Sequence, residues 1–307
     1  MRRKIIFTAL ILMFGLQQGY SQPKQNSNTD SYVFNPSIEK LRAFSNIIPG
    51  ELPIQINVEK IAETIRPASI VVKGDSPDKK MTLARTVYQV EYPNGTIMLD
   101  SGMDLETHKT FGKTPEPYFP ERFDSVKKAL SQANLIILTH YHADHVAGVV
   151  RSKNFEELAP KTWVSKLTAN LLINKPHKST TVIEKAQVEK FLIAEDRKYM
   201  PIAPGVVLFM APGHTPDSKM LYIRLANGQE YIHSVDSGWS MENIEKETMK
   251  NASWVSENEQ QLLTQYIWLN NLKKEAKDIV ILCTHDNVQY KQFTKNGVLG
   301  KGLKIDQ

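Results

Sequence analysis

The stretch LTHYHADHVAG, residues 138–148, sets His140, His142, Asp144 and His145 within six positions of a chain that has only eight histidines. A helix offers a metal two histidines four apart, as in H-E-x-x-H, but the spacing here is different. It follows the apolar run NLIILT, which reads as a short buried strand. At a strand's end, alternate side chains turn the same way, so His140 and His142 can converge on one point. The backward bend that follows can bring Asp144 and His145 to a second point nearby. Two such points suit two adjacent metals.

Three more segments repeat the placement. MAPGHTPDS carries His214 into a Gly/Pro-rich turn after a strand, SVDSGWS ends a strand at Asp236, and ILCTHDN ends another near His285. Zinc accepts imidazole and carboxylate, and a catalytic site keeps one position for water. The seven groups divide into two sites. His140, His142 and His214 would hold the first zinc, and Asp144, His145 and His285 the second. Asp236 would bridge them together with a hydroxide. The expectation is therefore two Zn2+ per chain, with Asp144 and Asp236 also taking part in catalysis. His108 and His177 fall in polar loops, His233 reads as a packed strand residue, and Cys283 as a buried strand thiol.

The 307 residues, 23% of them charged, suit one large globular domain or two small ones. MRRKIIFTALILMFGLQQGYSQ has three basic residues, an apolar run from Ile5 to Leu16, and small residues Gly19 and Ser21. This is the pattern of an export signal removed near Ser21, and the run is short of the roughly 20 residues that span a bilayer. Removing the signal lowers the formal net charge from +5 to +2. No basic block follows, so nucleic acid is not an expected partner. With Cys283 the only cysteine, no intramolecular disulfide can form. The expectation is an exported protein, periplasmic or secreted, without a stable membrane anchor.

Residues 22–52 read as a polar, flexible lead-in and 53–307 as the folded domain. RTVYQVEY and TIMLDSG flank Pro93-Asn94-Gly95, a hairpin signal. PERFDSVKKALSQA has helical spacing at Phe123, Val126, Leu130 and Ala133. TWVSKLTANLLI reads as strand then helix, VEKFLIAED as a helix or strand edge, and PGVVLFMAPG as a strand. MLYIRL and EYIHSVD are strands joined at Asn227-Gly228, and DIVILCTHD is a late buried strand. Residues 241–277 form a mostly helical insert. Strands with helices between them imply an α/β sandwich whose ligands sit on loops at one strand edge.

HYHADH, followed by GHTPDS, VDSG and a late THD, resembles the metallo-β-lactamase-fold hydrolases over roughly residues 80–290. The resemblance implies a four-layered αβ/βα sandwich with a dinuclear zinc site along the sheet edges. Members open β-lactams and lactones, hydrolyse thioesters and cleave phosphodiesters, so the fold alone does not choose a substrate. The β-lactamases generally carry cysteine or serine at the position of Asp236, which counts against that activity. The glyoxalase-type thioesterases carry a basic substrate-binding tail that has no clear counterpart here. Export and the aromatic-rich insert (Met241, Met249, Trp254, Tyr266, Trp268) fit an acyl-tailed small molecule, as does the Tyr118-Phe119 pair. The chain is thus most similar to the N-acyl homoserine lactonases, which silence bacterial signalling. It departs from them at Trp239, where many carry a tyrosine three residues after the bridging aspartate; indole donates an N–H but does not ionise. Other hydrolases of the fold, and a non-catalytic metal-binding protein, are the alternatives.

Overall fold

The computed structural model describes residues 33–112 and 114–306. The export signal expected over 1–21 and the first part of the lead-in lie outside the described residues.

Among the described residues, twelve strands form two sheets. They are β1 (Gln55–Pro67), β2 (Lys80–Tyr92), β3 (Gly95–Leu99), β4 (Leu135–Ile137), β5 (Thr162–Ser165) and β6 (Leu192–Ala194), then β7 (Tyr199–Ala203), β8 (Val206–Met210), β9 (Lys219–Arg224), β10 (Glu230–His233), β11 (Ile279–Leu282) and β12 (Gly300–Lys301). The larger sheet runs β12-β1-β2-β3-β4-β5-β6 and the smaller β11-β10-β9-β8-β7. The expected hairpin is β2–β3, with Tyr92 paired to Gly95 across Pro93-Asn94. β3, β4, β5 and β6 are parallel, as are β10 and β11. Their carboxyl ends therefore open on the same kind of edge, where connecting loops can gather side chains.

The layers follow from strand alternation. Ile56, Val58, Tyr88 and Val90 point from the larger sheet onto Leu208, Leu221 and Ile223 of the smaller, forming the central core. The opposite face of the larger sheet (Ile61, Val87, Met98, Ile136) is covered by helix Pro120–Gln132 through Phe123, Val126, Ala129 and Leu130. Val207, Phe209, Tyr222 and Ile232 of the smaller sheet meet Leu262, Tyr266 and Leu269 of helix Glu259–Glu275. Helix, sheet, sheet, helix is the expected four-layered sandwich. The 241–277 segment is largely helical, with helix Met241–Glu245 and a 3-10 turn at Ser253–Val255 before the long helix. The stretch VEKFLIAED takes both of its readings, ending a short helix at Val188 and forming β6.

The lead-in departs from expectation. From Val33 it is ordered rather than loose: Ser37 caps helix Ile38–Phe44, and Leu41 is wholly buried. Phe34 stacks on Phe209 and meets the Trp268 edge. Two apolar side chains in a polar stretch suffice, since fully burying each contributes about 1.5–3 kcal/mol.

One close approach fixes the motif helix, Ala143–Val150, under the loop after β3. A Cβ added at Gly148 would lie 2.0 Å from the Ser101 carbonyl oxygen. That contact is with backbone, so it can be relieved only by moving the helix that carries Asp144 and His145. Gly148→Ala should therefore destabilise the fold by more than about 2 kcal/mol. Denaturant unfolding of the two proteins checks this, and an unchanged midpoint would show that the helix is free to shift.

Candidate metal centre

β4 ends at Ile137, and three residues later His140 leaves the sheet; His142 caps the helix that bears Asp144 and His145 in its first turn. His214 lies in the turn between β8 and β9, Asp236 follows β10, and His285 follows β11. All seven expected ligands are buried. Their ligand atoms form two groups, His140, His142 and His214 in one and Asp144, His145, Asp236 and His285 in the other, with all the atoms of a group within 4.8 Å of one another. Asp236 also reaches the first group, with Oδ2 3.5 Å from His214 Nε2 and 2.9 Å from His285 Nε2.

Outer contacts aim the rings. His145 donates from Nδ1 to Asp100 Oδ2 at 2.7 Å, His285 from Nδ1 to the Ala84 carbonyl at 2.7 Å, and His214 from Nδ1 to Glu257 Oε1 at 2.5 Å. Each bond orients its ring so that Nε2 faces the cluster. Asp100 also accepts from the Thr139 backbone N–H and hydroxyl at 2.8 and 2.9 Å, tying the loop after β3 to the loop after β4. It does so from a left-handed backbone, φ +62°, and Val235, just before Asp236, has φ +51°. Strain of this kind persists where surrounding contacts over-determine it, as around functional sites.

The donor set fits divalent metal. The Nε2 atoms of His140 and His145 and Oδ1 of Asp236 are buried without a hydrogen-bond partner. Burial pushes the His140 and His142 rings well below the usual imidazole range, so they are neutral and able to ligate. Burial lowers His145 as well, but the surrounding Asp236, Asp100 and Asp144 carboxylates outweigh it and hold the ring well above that range. Burial raises Asp144 and Asp236, yet their neighbours prevail and lower both on balance, Arg85 foremost for Asp144 and His285 for Asp236. This concentration of negative charge is what a cation answers.

Beyond the ligands, the pocket is lined by Thr64, Arg66, Leu83, Arg85, Phe111, His177, Lys178, Trp239, Trp254 and Val255. Trp239 and Trp254 are where the sequence reading put them. Trp268, Tyr118 and Phe119 are not. Trp268 donates its indole N–H to the Pro36 carbonyl and packs on Phe34 and Phe209. Tyr118 donates to the Met103 carbonyl and packs on the core of the larger sheet, and Phe119 lies against Lys60 and Arg122. Met249 and Tyr266 are likewise core residues. Tyr118-Phe119 and Trp268 are ordinary packing aromatics, which apolarity alone does not separate from a pocket wall.

Other residues were missed. His177 is not a surface histidine: it stacks on His142 at 4.0 Å between ring centroids, and burial pushes it down to about 4. His108 is also buried, away from the ligands, with Nε2 3.3 Å from the Glu116 carbonyl. Arg85 forms an ion pair with Asp144. Lys250, fully buried, binds Glu257 Oε1 at 2.5 Å and the carbonyls of Asp236 and Ser237 at 2.8 Å. His233 packs edge-on against Tyr88, and Cys283 is a buried thiol whose pKa burial raises. Among the described residues no helix is long and apolar enough to cross a membrane.

With fold and site established, likeness to known proteins becomes informative. Residues 82–227 match the metallo-beta-lactamase superfamily, so the chain carries a metallo-β-lactamase domain. More particularly, an N-acyl homoserine lactonase of Bacillus thuringiensis is 23% identical over 190 residues, covering 56% of this chain and 71% of that protein. A solved N-acyl homoserine lactone hydrolase with the product N-hexanoyl-L-homoserine at its catalytic metal centre superposes with a TM-score of 0.62. It is 19% identical, and the match covers 78% of this chain and 96% of that one. The endoribonuclease YSH1 of Candida albicans is 36% identical over 89 residues, 27% of this chain, which spans only 9% of that protein's length. The fold is thus a lactonase-like metallo-β-lactamase fold with a candidate divalent-metal site.

Because Glu257 alone among the described carboxylates meets His214 Nδ1, Glu257→Gln should weaken zinc binding by roughly 10–100-fold. Chelator competition on the purified proteins measures this. Equal affinities would show that His214 is aimed by its turn alone.

Proposed function

We propose that the protein is a dinuclear zinc hydrolase that opens lactone rings, with N-acyl homoserine lactones as its substrate class. The observation that carries the reading is the pair of buried ligand clusters joined by Asp236. The likeness to lactonases in sequence and in fold supports the choice of lactone over the other reactions of the superfamily. The leader-like N-terminal sequence supports export to a compartment where diffusible signals pass.

When bound, zinc supplies Lewis acidity for the ester carbonyl and a source of hydroxide near neutral pH. His140, His142 and His214 would hold one ion, and Asp144, His145 and His285 the other, with Asp236 shared. The remaining steps belong to side chains. Arg85 keeps the Asp144 carboxylate ionised and fixed in place. Trp239 lies 6.4 Å from the His285 ring and can donate its indole N–H to a substrate carbonyl without ionising. Leu83, Trp239, Trp254 and Val255 form an apolar side to the pocket where an acyl tail can rest.

Purified protein from zinc-supplemented growth should carry about two zinc ions per chain; elemental analysis finding one or none would end the dinuclear assignment. Asp236→Ala should lower lactone turnover by orders of magnitude, and a variant with both metals and near-normal turnover would remove Asp236 from the mechanism. Assayed beside a β-lactam, a thioester and a phosphodiester, an acyl homoserine lactone should be opened fastest, and preference for another of these would replace the lactone assignment.

Chain length tests the apolar wall. Trp254 is 64% exposed, so a methylene against it gains only about half of the 0.8 kcal/mol for full burial. Two more tail carbons should raise kcat/KM by roughly fourfold. Trp254→Ala should flatten that dependence. A flat profile in the parent would place the tail elsewhere.

A further inference from the structure

The pocket lining is also basic. Arg66, Arg85, His177 and Lys178 come from the end of β1, from β2 and from the loop after helix Lys166–Asn174. His177 and Lys178 are neighbours in sequence, and the fold brings Arg66 and Arg85 to them. Arg66 is matched by Glu116. Arg85 and Lys178 are not matched in the same way. Both lie over the Phe111 ring, the Arg85 guanidinium carbon 4.6 Å and Lys178 Nζ 4.8 Å from its centroid. Arg85 gives one amino group to Asp144 and its Nε to the Thr64 hydroxyl, and no protein acceptor meets its other amino group among the described residues. Lys178 Nζ reaches only the Thr110 carbonyl, at 3.4 Å, and no carboxylate lies within ion-pair distance of it among the described residues. Burial lowers the Lys178 pKa; the Asp144 carboxylate offsets part of this, and Arg85 lowers it further through repulsion between like charges. Asp144 offsets one of these two cations, and the remaining positive charge beside the Phe111 ring in a half-buried wall would be offset by an entering anion. Among the described residues, the only acids lining the pocket are Asp144 and Asp236, both ligand-type groups of the candidate metal centre.

We propose that Arg85 and Lys178 form a subsite for a carboxylate on the substrate, so that the preferred substrate is an acyl compound with a negative charge besides its scissile ester. A guanidinium's planar fork and a mobile ammonium on one side suit a carboxylate, and the charge-assisted contacts are the strong ones. The Phe111 ring under both side chains limits their freedom and lowers the entropic cost of binding. The inference rests on reading the metal centre as an acyl-hydrolase site. It adds that the acyl part is amphipathic, its charged group against the basic wall and its apolar part against Trp239 and Trp254.

The test compares two ring-opened ligands on zinc-loaded full chain by calorimetry: N-succinylhomoserine, and its amide N-succinamoylhomoserine, which lacks only the second charge. The parent should bind the dianion roughly tenfold more tightly. The ratio should fall to about one in Lys178→Gln, stay high in Lys178→Arg, and shrink with added salt. Equal affinities in the parent, or a ratio unchanged in Lys178→Gln, would overturn the subsite and leave Arg85 as a partner of Asp144 only. If the affinity ratio holds while no lactone is opened, the carboxylate subsite stands and the lactone assignment alone falls.

Discussion

Asp236 is the electrostatic joint between the two sheets. His140, His142, Asp144 and His145 leave the edge of the larger sheet, whereas His214, Asp236 and His285 leave the smaller. One carboxylate, buried and ionised, lies 2.9 Å from His285 Nε2, 3.3 Å from His145 Nε2 and 3.5 Å from His214 Nε2. A buried charge is tolerated only where it is paired, so these imidazoles, and the cations they can hold, must be in place for the edges to close. The backbone submits to this. Val235 takes a left-handed conformation that disfavours a β-branched residue, and Lys250 clamps the Asp236 and Ser237 carbonyls from below.

The same demand explains the outer contacts. Asp100 gathers Thr139 and His145, and Glu257 gathers His214 and Lys250. Each carboxylate serves one ligand ring and one neighbouring segment, so aiming the ring and joining the loops are a single set of bonds. Glu257 follows Trp254 and Val255 by only a few residues. The segment that walls the pocket is therefore anchored to the first cluster, and a ligand pressing on Trp254 acts on a chain tied to His214.

The residues of the two candidate ligand clusters were legible in sequence because their signals are local. Each lies a few residues beyond an apolar strand, and four fall in one six-residue stretch. Arg85, Glu257, Lys250 and Asp100 carry no such mark. Arg85 sits inside a strand whose alternation says only that it faces away from the central core, and its partner Asp144 is 59 residues away. Glu257 and Lys250 lie in a polar stretch of the insert that reads as surface, although Lys250 has no exposed side chain at all. Trp268 and Trp254 show the converse. Both are aromatics of one helical insert, but one packs half-buried against Phe34 while the other is exposed and lines the pocket. Phe34 and Leu41, the residues that order the lead-in, were hidden by the polar composition around them.

The basic wall follows from the same long-range assembly, and it alters what composition implied. A chain with no cationic block in sequence still presents Arg85 and Lys178 together, because β2 and the 175–182 loop meet at Phe111. Net charge describes the surface as a whole, whereas recognition depends on which few charges share a low-dielectric concavity. Arg85 is central because it faces two ways. Toward the protein it offsets Asp144, and among the described residues its other amino group meets no protein acceptor. On the proposed reading, a residue so placed would couple the Asp144 carboxylate to an anion bound beside it, linking the two through one guanidinium.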